Sequence, residues 1–155
     1  MQSIPFIIAA AAAVAGALVP FQGGANAALG RALGHPLWAT LISLAISAAC
    51  LIPVMIVTKV PLPALGNLAE QPRWVWIGGI AGVIYITAAI LLMPRLGAAG
   101  FMTAVIAGQA IASLIIDQFG GVGLKARPVD PVRLIGVMMV ILGAAATQWN
   151  ALMRG

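Results

Sequence analysis

The sequence predicts an all-α integral membrane protein, and three observations carry that prediction. First, 63% of its 155 residues are hydrophobic and only 7% are charged, with a mean hydropathy of +1.11. Soluble domains carry about 25% charged residues, so this chain lacks the charge to face water all round. Second, five apolar runs reach the roughly 20 residues that a helix needs to cross a bilayer: about 4–29, 37–58, 74–93, 98–117 and 132–152. Third, none of these runs alternates in polarity, as the roughly ten-residue strands of a membrane barrel would. Every backbone polar group must then be bonded within its own helix. The expected organisation is one five-helix transmembrane domain over residues 1–155.

The first helix carries Pro20, which removes one backbone bond and favours a kink, and Gln22 and Asn26, which share a face four residues apart. Its "GGANA" stretch is like a signal-peptidase site, but no Lys or Arg precedes the apolar run. The run is therefore expected to stay as a span. The short turn "GRALGHP" joins it to the second helix, where Cys50 stands alone. A single cysteine and a single histidine (His35, beside Pro36) exclude a disulfide framework, a metal centre and a catalytic triad within one chain. No cofactor and no enzymatic activity is expected.

The third helix follows the long connection "KVPLPALGNLAEQPR" and carries Gly78, Gly82 and, near its middle, Tyr85. A phenol at that depth needs a hydrogen-bond partner or a wet cavity. After "PRLG", the fourth helix carries two stripes. Gly100, Ala104, Gly108 and Ala112 form a small-residue groove, as Gly30 and Gly34 do near the first turn. Such grooves let membrane helices approach closely. One position on, Gln109, Ser113 and Asp117 recur every fourth residue and stack on one face. A polar stripe in hydrocarbon must face protein or water, so Gln109 and Ser113 either bond between helices or line a path. Asp117 sits at a helix C-terminus, where the dipole opposes it, and is expected to pair with Lys125 or Arg127. The fifth helix follows "QFGGVGLKARPVD" and adds Gln148 and Asn150 near its end. Trp38, Trp74, Trp76 and Trp149 fall near span ends, where indoles anchor at the headgroup level.

The net charge of +5 comes from basic residues scattered singly at helix ends. That pattern sets membrane topology and not nucleic-acid binding. Lys59, Arg73, Lys125, Arg127 and Arg133 lie on the side of the N-terminus and long loops, against Arg31, Arg95 and Arg154 opposite. The balance favours that first side in the cytoplasm, by a margin narrow enough for a chain to insert both ways.

The segment "WVWIGGIAGVIYITAAILLMPRLGAAGFMTAVIAGQAIASLIIDQFG", with "GALVPFQGGANAALGRALGHPLWATLISL", resembles the YdcZ-type five-helix branch of the drug/metabolite transporter superfamily. The glycine-rich start of the third helix, the "PRLGAA" turn, and "GQ" followed by "DQFG" carry the resemblance, which runs through all five helices. It implies a multi-pass protein of the bacterial inner membrane that transports a metabolite or drug-like molecule. Members look like half-units, found singly, in pairs or fused. The family supplies no agreed site residues. The related four-helix multidrug exporters use a glutamate in helix 1, and this first helix has no acid, so that mechanism does not carry over.

An odd helix count puts the termini on opposite sides. A second copy, or an oppositely oriented paralogue, must then lie inverted to build an inverted-repeat transporter. The expected pathway residues are Gln22, Asn26, Tyr85, Gln109, Ser113 and Asp117, gathered from two antiparallel chains and working by alternating access. A dual-topology ion channel and an accessory membrane subunit are the alternatives. Asp117 would suit a cationic substrate, Arg31 and Arg95 an anionic one.

Overall fold

The computed structural model describes residues 3–63, 65–68 and 70–153. It is helical, with α1 over Ser3–Ala32, α2 over Pro36–Val57, α3 over Ile77–Phe119 and α4 over Pro131–Met153. Short 3-10 turns at Leu65–Asn67 and Arg73–Trp76 lie between α2 and α3. All four long helices are apolar enough to cross a membrane.

The main departure from the expected five helices is at "PRLG". The helix runs on through Pro94, Arg95 and Leu96, and leaves helical geometry only at Gly97, with φ 72° and ψ 161°. One glycine suffices because only a residue without a Cβ adopts that backbone readily. Pro94, three residues earlier, removes the bond to the Ile90 carbonyl and weakens the helix just before the break. A straight helix of 43 residues would run about 65 Å, twice the roughly 30 Å hydrocarbon core.

The other boundaries follow from local capping. Gly34, at φ 74°, closes α1 while Leu33 N donates to the Leu29 carbonyl at 2.9 Å. Gly34 is therefore a cap, with open space where a Cβ would stand, and is not part of a packing groove with Gly30. His35 starts α2, its Nδ1 accepting from Leu37 N at 3.2 Å, with Pro36 as the first helical residue. Asp130 and Pro131 repeat the device at α4, where Asp130 Oδ1 accepts from Arg133 N at 2.9 Å.

The chain packs as two units, one of Met1–Gln71 with Gly78–Pro94, the other of Pro72–Ile77 with Arg95–Gly155. In the first, Ala39, Ile86 and Ile90 form the core, with Leu29 and Tyr85 against it. Gly23, Ala27 and Gly30 are the buried small residues of α1. A Cβ on Gly30 would stand 3.0 Å from Ile90 Cγ2 and 3.7 Å from Pro36 Cα. The hydroxyls of Thr40 and Thr87 meet at 2.9 Å between α2 and α3.

The second unit is held by the same kind of contact. Thr103 and Thr147 meet at 2.8 Å between α3 and α4. Gln148 Nε2 donates to the Gly100 carbonyl at 2.7 Å, possible because Gly100 has no side chain in the way. Of the other expected packing residues, Ala104 and Ala112 are exposed. Gly78, Gly82 and Gly108 have nothing within 4 Å of a would-be Cβ.

Candidate functional site

The expected pathway residues fall into two groups, one in each unit. In the first unit, Gln22 and Asn26 on α1 and Tyr85 on α3 line one crevice, with Val19, Gly23, Ile86 and Ala89 completing it. The four-residue spacing puts both carboxamides on the face of α1 that meets α3. Gly23 sits between them, and its missing side chain makes room for Met93. Asn26 is buried at 7% exposure, Tyr85 is half-buried and Gln22 is exposed at the mouth. The cavity is about 10 Å³, about the space of one water molecule. It is a polar notch in an apolar core, not a chamber.

In the second unit, Gln109 and Ser113 lie on an exposed face of α3 and Asp117 is half-buried at its end. Gln109 makes no side-chain hydrogen bond among the described residues. A bare carboxamide costs several kcal/mol in hydrocarbon, which makes lipid an unfavourable neighbour for this face of the second unit.

Asp117 has a different partner from the one expected. Its Oδ2 lies 3.4 Å from Arg133 Nη1, and Arg133 Nε lies 3.4 Å from Asp130 Oδ2. Arg127 reaches Asp117 only through the backbone, its N–H donating to the Asp117 carbonyl at 2.6 Å. The reason is the fold of the connection. Gly120, Val122 and Gly123 all adopt positive φ, and Gly121 and Leu124 exchange backbone bonds of 3.3 and 2.8 Å. This tight turn sends the chain back along α3 and leaves the Lys125 and Arg127 side chains beside an open pocket of about 490 Å³. Gln118 Oε1, accepting from Val129 N at 3.0 Å, pins the returning strand of chain.

Sequence reasoning missed three features. The threonine pairs were legible only as single polar residues in spans. The Asp130 cap was legible in "DPVR", an N-cap residue followed by a helix-starting proline. The Arg133 partnership follows from that cap, because it fixes Arg133 one turn into α4. Among the described residues, no three of His, Cys, Asp and Glu gather as a metal site would require. The side chain of Asn150 and all of Arg154 lie outside the described residues.

Residues 7–146 match the profile of a family described as "Putative inner membrane exporter, YdcZ". No curated protein and no solved structure matches the chain.

Proposed function

Because the chain belongs to the YdcZ family of inner membrane exporters, we propose that it carries a small metabolite or drug-like molecule by alternating access, as an antiparallel pair of chains. It is a multi-pass inner-membrane protein, and the exporter description of its family supports a transport role. In this reading α3 crosses the membrane twice, turning at Gly97, which makes five spans and puts the two termini on opposite sides. Two such chains related by inversion form a ten-helix carrier like those of the drug/metabolite transporter superfamily.

The exposed Gln109 carboxamide carries the proposal. Gln109 makes no side-chain hydrogen bond among the described residues, and within the second unit the Gln109–Ser113 face is exposed beside the small residues Ala104, Gly108 and Ala112. A second chain seated along that groove covers the apolar part and leaves the carboxamides to line a wet path. The Gln22–Asn26–Tyr85 notch supplies a smaller polar pocket in each protomer.

Transport by inverted vesicles and reporters at both termini test this reading. Gln109→Leu is expected to abolish transport with membrane insertion and pairing unchanged. Loss of folded protein instead would assign Gln109 to structure. Wild-type reporters are expected on both sides of the membrane. A single orientation, with no oppositely oriented relative beside it, would overturn self-pairing by inversion.

A further inference from the structure

We infer that the pocket formed by the α3 end and the loop that follows it binds an anionic group, a phosphate or a carboxylate, and that the transported molecule is accordingly an organic anion. The second clause rests on the carrier reading above. The first stands on the geometry of the second unit alone.

The pocket is lined by Asp117, Gly123, Leu124, Lys125 and Arg127. At about 490 Å³ it falls within the roughly 300–1,000 Å³ of small-molecule sites. Its wall is fixed by several contacts. The Gly121–Leu124 turn closes on itself, the Arg127 amide is tied to the Asp117 carbonyl, and Gln118 holds Val129. Gly123 suits this turn because its φ of 79° disfavours a side chain, and it lies against the Trp74 ring. Lys125 and Arg127 thus project from a braced loop.

Charge decides what the pocket takes. Its one carboxylate, Asp117, is already engaged by Arg133, which also meets Asp130. Among the described residues, neither Lys125 nor Arg127 has an acidic group within 4.0 Å. Two cations are therefore unspent while the nearby anion is compensated. A guanidinium and an ammonium on one wall are the donors that phosphate and carboxylate oxygens favour. A cationic ligand would instead have to displace Arg133 from Asp117 while two positive charges repelled it.

The same chemistry could come from a free anion or from a lipid headgroup, and the experiment separates them. Full-length protein in a neutral detergent is titrated calorimetrically with pyrophosphate, with citrate, and separately with micelles of a short-chain phosphatidylglycerol. Saturable binding of pyrophosphate or citrate is expected, weakened about tenfold in K125Q/R127Q, as the loss of two exposed charges implies. Asp117→Asn is expected to tighten it severalfold by removing a like charge from the wall. Weakening by Asp117→Asn, or no change in K125Q/R127Q, would overturn the anion site. So would silence towards all three probes in protein of normal melting behaviour. A response to phosphatidylglycerol alone would uphold the anion site and overturn the substrate assignment. Anion binding without export in vesicles would overturn the carrier reading and leave the site standing.

Discussion

The two units use their small residues in different ways. Each places a carboxamide on an apolar helix, and each is stitched by one threonine pair of nearly equal length, 2.9 Å for Thr40 and Thr87 and 2.8 Å for Thr103 and Thr147. In the first unit, Gly23 and Gly30 bring α1 close to its neighbours and fold Asn26 into the interior. In the second, the small residues Ala104, Gly108 and Ala112 are exposed, and Gln109 beside them is exposed too. Small residues therefore have two uses here. Those of α1 are consumed in packing the first unit, and those beyond Gly100 on α3 stay exposed in the second.

Substitutions at matched glycines break or sharpen this contrast, and the largest effect is expected from the first unit. Gly30→Leu forces a side chain against Ile90 and the Pro36 backbone, which should destabilise the fold by about 3 kcal/mol. Gly108→Leu meets open space and should leave protomer stability unchanged while weakening pairing. Unfolding in mixed micelles and cross-linking in membranes read the two effects. Equal destabilisation by both would erase the distinction. Gly97→Ala comes next, at about 2 kcal/mol, because its φ of 72° and ψ of 161° penalise any Cβ. A neutral result there would mean that the break in α3 does not require glycine.

Smaller effects should be symmetric between the units. Thr40→Val and Thr103→Val each remove one interhelical hydroxyl contact, worth about 0.6 kcal/mol in a membrane. A several-fold difference between them would show that one threonine pair has a role beyond stitching. Smallest is the effect of Asp117→Asn on stability. The Asp117 and Arg133 side chains are 37% and 44% exposed, and pairs so open to solvent contribute well under 1 kcal/mol. Chemical unfolding should barely register this change, even where ligand binding registers it clearly.

How much of this was legible in the sequence differs between the same two regions. The helical class and the apolar runs follow from composition and run length, whereas Gly34, read as a packing residue, caps α1. The meeting of Gln22, Asn26 and Tyr85 was half legible. The four-residue spacing put the carboxamides on one face, and a mid-span phenol asked for a polar neighbour. That α1 and α3 bring them together is a tertiary fact. Two helices joined by "PRLG" were read from the sequence, whereas the helix runs on through Pro94, Arg95 and Leu96 and only Gly97 leaves helical geometry. The partner of Asp117 was not legible by nearness in sequence. Lys125 and Arg127 are closer along the chain, and the positive-φ residues of "GGVG" turn them aside. Arg133 was hidden in the next helix, where the Asp130 cap fixes it.

The central claim is that the open Gln109 face lines water in a working pair of chains. Gln109→Cys in a Cys50→Ala background, labelled with a membrane-impermeant maleimide in sealed vesicles, tests this most directly. Ile111→Cys, exposed on the opposite side of the same helix, is the control for a lipid-facing thiol. Rapid labelling is expected at 109, changed by a transported ligand, and little at 111. Equal, negligible labelling at both positions would contradict it, placing Gln109 in lipid or in a dry helix contact.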